Sequence, residues 1–119
     1  YVYLEDVHED GRVLYLTEGL LRALHRRESP REPRFAQFVP HHSFLREDAM
    51  ELIPGEVAEI RFGLLPTSAL VRKGHRLRVA IAGHDASTFA RIPVEGAPTI
   101  TVHRDRVHDS HVDLPIVPR

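Results

Sequence analysis

The sequence predicts an all-β domain, an antiparallel jelly roll or β-sandwich. Three observations carry this reading. Apolar and polar residues alternate with period two in one short segment after another. Seven Gly and nine Pro punctuate those segments. The one stretch with a helical alternative, residues 20–25, is short and follows Gly19.

The first two strands are residues 2–7 and 12–17, rich in Val, Leu and Tyr. Between them Glu9-Asp10-Gly11 carries the Asp-Gly signal of a hairpin turn. Residues 20–25 suit a short helix or a strand, and the glycine before them favours a strand. Residues 27–54 break the pattern with Pro30, Pro33, Pro40 and Pro54, and are too long for an ordinary connection. This loop nevertheless holds Phe35, Phe38 and Phe44, three of the five Phe. A solvated linker would not gather aromatics, so the loop is expected to lie against something apolar.

Beyond Pro54-Gly55, Ala58, Ile60, Phe62 and Leu64 point to one face and Glu59 and Arg61 to the other. Residues 69–71 form a short strand, and Lys73-Gly74 turns the chain. Leu77, Val79 and Ile81 then alternate with Arg76, Arg78 and Ala80. A second irregular stretch, residues 83–98, leads to strands at 99–103 and 111–117. The expected core is Ala58, Ile60, Phe62, Leu77, Val79, Ile81, Ile100, Val102, Val112, Leu114 and Ile116.

Composition narrows the function classes. At 119 residues the chain is one domain or part of one. Apolar residues at 42% and charged residues at 28% suit a folded domain rather than a disordered one. A formal net charge of −1 argues against a domain built to grip nucleic acid. No apolar run approaches the ~20 residues of a membrane helix, so no membrane partner is expected. The absence of cysteine removes disulfides, thiolate chemistry and cysteine metal sites. The opening Tyr1-Val2-Tyr3-Leu4 already reads as the inside of a strand, so the chain is expected to be a piece of a longer protein.

The candidate chemistry is sparse. None of the five serines, Ser29, Ser43, Ser68, Ser87 and Ser110, sits in a G-x-S-x-G elbow, so no catalytic residue is assigned. His103, His108 and His111, with Asp105, Asp109 and Asp113 near, have spacing compatible with a cupin-type metal site. A solvated hairpin loop explains them better, and no metal or other cofactor is assigned. His41-His42 reads first as a surface pair, with loop packing or substrate contact as the alternative. Lys73-Gly74-His75-Arg76-Leu77-Arg78 is basic, but pairing across strands with Glu56 and Glu59 accounts for it without a phosphate or nucleic-acid ligand.

A set of motifs runs in order along nearly the whole chain: Thr17-Glu18-Gly19-Leu20-Leu21-Arg22, Pro54-Gly55-Glu56-Val57, Leu65-Pro66-Thr67-Ser68, Arg72-Lys73-Gly74-His75-Arg76-Leu77-Arg78-Val79, Phe89-Ala90-Arg91-Ile92-Pro93, Thr101-Val102-His103-Arg104 and His111-Val112-Asp113-Leu114-Pro115. Together they resemble the C-terminal domain of the CocE/NonD hydrolases, which is shared with the X-Pro dipeptidyl-peptidases. The resemblance implies a galactose-binding-domain-like jelly roll over residues 1–119, the C-terminal part of such a domain in a larger α/β-hydrolase. It implies a serine hydrolase as the parent, an acyl esterase or dipeptidyl-peptidase, with the Ser-Asp-His triad outside this chain. The implied partner is the N-terminal α/β-hydrolase domain of the same protein, with a homo-oligomer as a further expectation. Phe35, Phe38, His42 and Phe44 are then the candidates for contact with the substrate pocket or the catalytic domain. The alternative is an independent ligand- or glycan-binding β-sandwich module, against which stand the absence of Trp and the presence of only three Tyr.

Overall fold

A computed structural model of the chain describes residues 1–117. It is nearly all-β: strands β1 (Val2–Val7), β2 (Val13–Gly19) and β3 (Arg76–Ile81) form one open antiparallel sheet in the order β2-β1-β3. This is consistent with an incomplete β-sandwich.

The hairpin forms where the Asp-Gly signal places it. The His8 carbonyl accepts from the Gly11 amide at 3.0 Å, the His8 amide donates to the Arg12 carbonyl at 2.9 Å, and Gly11 takes φ 84°. That left-handed conformation is open to Gly at little cost, and the Asp10 side chain caps the turn by accepting from the Arg12 amide at 3.0 Å. The ladder pairs Leu4 with Thr17 and then Glu5 with Tyr15, so Leu16 is an extra residue bulged out of register.

Strand β1 is the centre of the sheet. Its second neighbour, β3, lies far along the chain and pairs Val2 with Ile81, Leu4 with Val79 and Asp6 with Leu77. The turn into β3 closes between the His75 amide and the Arg72 carbonyl at 3.1 Å, with Gly74 at φ 88°. A side chain at residue 74 would collide with the Glu9 carboxylate, so the two turns at this end of the sheet lie against each other.

Residues directly opposite one another share a face, so Val2, Leu4 and Asp6 lie with Thr17 and Gly19 on one side and with Leu77, Val79 and Ile81 on the other. Over β1 and β2 this face is covered: Leu4, Asp6, Thr17 and Gly19 are buried. Over β3 it is open, and Leu77 and Val79 are each 44% exposed. The expected burial of Leu77, Val79 and Ile81 is therefore corrected, although their common face with Leu4 stands.

The reason is the second layer. Residues 58–64, 69–71, 99–103 and 111–117 run without a strand ladder among the described residues, so no second sheet packs over β3. Ile60, Ile100, Val102, Val112, Leu114 and Ile116, expected in the core, are exposed, while Ala58 and Phe62 are half-buried. Residues 20–25 are not a strand either. Ala23–His25 makes one 3₁₀ turn, and the Arg26 guanidinium donates to the Ala23, Met50 and Glu51 carbonyls, which holds the chain in that turn.

Residues 62–65 reach β2 without joining it. The Leu65 amide donates to the Glu18 carbonyl at 2.7 Å, and the Thr17 hydroxyl donates to the Leu65 carbonyl at 2.7 Å. Gly19 and Gly63 permit this approach, because a Cβ on Gly19 would sit 2.5 Å from the Gly63 carbonyl oxygen. Replacing Gly19 with Ala should destabilise the fold by about 1–3 kcal/mol, since backbone rather than a movable side chain stands in the way. Chemical denaturation of both proteins checks this, and an unchanged midpoint would show that residues 62–65 are not held against β2.

Candidate functional site

The long loop bears the residues singled out as a contact surface. It is tied by polar staples rather than by its aromatics. The Ser29 amide donates to the His41 carbonyl at 2.7 Å, Ser43 Oγ donates to Asp48 at 2.6 Å, and Arg31 pairs with Glu47 at 2.8 Å. A second 3₁₀ turn, Arg46–Asp48, follows, and the Met50 amide returns to the Leu24 carbonyl at 2.8 Å. The hydrogen bond from Ser43, reinforced by Arg27, lowers the Asp48 carboxyl below its ordinary value.

His42 is the centre of this network. It is buried, and its Nδ1 and Nε2 lie 3.0 and 2.9 Å from the carbonyl oxygens of Arg27 and Arg61. The ring thus bridges the start of the loop to the chain after it, and the Arg61–Glu28 ion pair at 3.0 Å runs alongside. The surface-pair reading of His41-His42 does not describe His42, whose ring spans two backbones. Phe44 stands over it with ring centroids 6.2 Å apart, and 5.4 Å from His25, at a positive φ of 56°.

Phe35 and Phe38 are not drawn into that cluster. Phe38 projects fully into solvent, and Phe35 is 75% exposed with Arg34 above its ring. The four candidates therefore divide: His42 and Phe44 meet at the base of the loop, while Phe35 and Phe38 stand outward from it.

Two further constellations were not legible in the motifs. At one end of the sheet the Tyr3 hydroxyl donates to Asp85 at 2.7 Å. Asp85 also accepts from the Ser87 amide and hydroxyl, and its backbone carbonyl accepts from Phe89. These bonds, Ser87 first and Tyr3 second, lower the Asp85 carboxyl to about 2, and the same contact raises the Tyr3 phenol to about 12. At the opposite end, Asp6 is buried with both carboxylate oxygens within 3.0 Å of His75 Nδ1. The Asp6–His75 contact lies in the stretch expected to pair with Glu56 and Glu59. Arg78 instead pairs with Glu5 at 2.6 Å.

Of the histidines weighed for a metal, His103 and His108 gather around Asp105, while His111 pairs with Asp109 and Asp113. Asp105 is held by the amides of His108 and Val107, which lower its carboxyl below the ordinary value. These side chains are largely exposed. Among the described residues the Ser43 and Ser87 hydroxyls are bonded to Asp48 and Asp85, not to a histidine ring.

Residues 1–113 match the family model described as the X-Pro dipeptidyl-peptidase C-terminal non-catalytic domain, and the chain belongs to that family. It is 55% identical over 117 residues to proteins of Mycobacterium bovis and Mycobacterium tuberculosis, each provisionally named a serine esterase. It is 27% identical over 128 residues to the cocaine esterase of a Rhodococcus species. Each alignment covers 98% of this chain, and the chain spans 18–19% of the length of these relatives. No solved structure matches.

The Tyr3–Asp85 contact supports a titration. A depressed carboxyl contributes stability above its unfolded value near 4 and loses it as pH falls toward about 2. A raised phenol contributes below its unfolded value near 10 and loses it as pH rises toward about 12. Ultraviolet titration should therefore show one phenol ionising near 12, absent in Tyr3→Phe and returned toward 10 in Asp85→Asn. All phenols titrating near 10 in the unsubstituted protein would show that the contact does not form.

Proposed function

We propose that this chain is the non-catalytic β-domain of a serine hydrolase of the acyl-esterase or dipeptidyl-peptidase type. It packs on an N-terminal α/β-hydrolase domain and helps to wall the substrate pocket. The observation that carries this is the membership of residues 1–113 in a C-terminal non-catalytic family, together with esterase-named relatives of which the chain is a small part. The contact face is the outer side of the long loop. Phe35 and Phe38 stand exposed there while His42, Arg26 and Asp48 pin the loop's base, which is the arrangement of an anchor held ready for an apolar surface.

The test uses the protein as its gene encodes it. It should hydrolyse acyl esters, and a serine-reactive inhibitor should abolish that activity. The 119-residue chain by itself should hydrolyse nothing. Phe38→Asp should loosen the domain contact and raise KM with a smaller change in kcat, because the pocket wall shifts while the triad stays in place. Kinetics identical to the unsubstituted enzyme, with unchanged protease resistance between the domains, would remove Phe38 from the interface.

A further inference from the structure

We propose that Asp6, His8 and His75 form a binding site for a divalent transition-metal ion of the zinc class, on the sheet end where the hairpin turn meets the turn into β3. Asp6 comes from the central strand, His8 from the hairpin turn and His75 from the turn before β3. Their ligand atoms all lie within 4.8 Å of one another.

The first support is distance. Asp6 Oδ2 is 2.9 Å from His75 Nδ1 and 3.8 Å from His8 Nε2. Tetrahedral zinc with bonds of about 2.0–2.1 Å holds its donors about 3.4 Å apart, and the two distances bracket that value. Shifts of about half an ångström bring the two Asp6–His distances to that spacing, and the third pair of donors lies within 4.8 Å. The second support is charge. The Asp6 side chain is 4% exposed, and among the described residues its ion-pair partners are His8 and His75, with no Arg or Lys. A cation seated beside a carboxylate that deep would balance its charge. The third is access and donor type. The His8 and His75 side chains keep 21% and 14% exposure, so the cluster meets solvent on their side. Two imidazole nitrogens and one carboxylate oxygen favour zinc, cobalt or nickel over magnesium or calcium.

Two groups oppose the ion. His75 Nδ1 donates to the Asp6 carboxylate, whose oxygens lie 2.9 and 3.0 Å away, so metal binding there must release that proton. Arg12 Nη2 lies 3.1 Å from His8 Nδ1. As a donor it makes Nδ1 the acceptor and leaves the proton on Nε2, the atom that would bind metal. Arg12 is 70% exposed and paired only loosely with Asp10, so it can swing away. Its removal should therefore tighten metal binding, an effect that a purely structural Asp–His pair does not produce.

The experiment titrates ZnCl₂ and CoCl₂ into the protein as its gene encodes it, carrying His103→Gln and His108→Gln to silence the exposed cluster. Calorimetry reads stoichiometry, and the visible absorption of Co²⁺ reads ligand geometry. His8→Gln and Asp6→Asn should each weaken one binding event by about 10–100-fold or more, and Arg12→Ala should strengthen it by about tenfold. MgCl₂ should give no comparable event. Circular dichroism confirms that each variant is folded. Should Asp6→Asn fail to fold, the surface variants His8→Gln and Arg12→Ala decide. Binding that is absent, that survives His8→Gln unchanged, that is indifferent to Arg12→Ala, or that is matched by Mg²⁺ overturns the assignment.

Discussion

Strand β1 is hydrogen-bonded along both of its edges, and the rest of the structure hangs on that. It is the only one of the three described strands with a ladder on both sides. Each backbone hydrogen bond contributes about 0.5–1.5 kcal/mol net, so a doubly paired strand is the natural centre of stability in an open sheet. The two residues with the most deeply buried side chains on it, Leu4 and Asp6, mark the covered face. The pairing also brings together sequence positions that are otherwise remote. Tyr3 reaches Asp85 and Asp6 reaches His75 because β3 runs antiparallel beside β1. The two ends of the sheet thus acquire quite different polar contacts from one register.

A second dependence runs outward from β2 through two glycines. Gly19 lets residues 62–65 approach β2, and Gly63 in turn lies against the Val39 side chain of the long loop. His42 then ties the loop to Arg61 from the other direction. The loop is therefore positioned by close backbone approaches and carbonyl bonds rather than by burial of its phenylalanines. This explains how a segment with four of the chain's prolines keeps a definite course while Phe35 and Phe38 stay free.

What the sequence makes legible follows physical range. The hairpin was readable because its signals are local: alternating Val, Leu and Tyr on either side of Asp10-Gly11. Strand β3 was readable from Leu77, Val79 and Ile81, and their common face with Leu4 is present in the register. Burial was not readable, because alternation states which side chains share a face but not whether another layer covers it. Residues 58–64 show this: the alternation is clean, yet they close no ladder, and only Leu65 just beyond them bonds to β2. The Asp6–His75 contact carried one overlooked signal. By period two, Asp6 shares a face with Val2 and Leu4, and an ionisable residue on an apolar face implies a partner. Nothing local names His75 as that partner, since the pairing of β1 with β3 had first to be known.

The open apolar face over β3 and the outward phenylalanines have one physical meaning. Leu77, Val79, Ile81, Phe35 and Phe38 expose large apolar side chains that a self-contained domain would cover. Scattered exposed hydrophobes are ordinary, but these fall on a sheet face and on a loop whose base is pinned by hydrogen bonds. A surface already ordered loses little conformational entropy on contact.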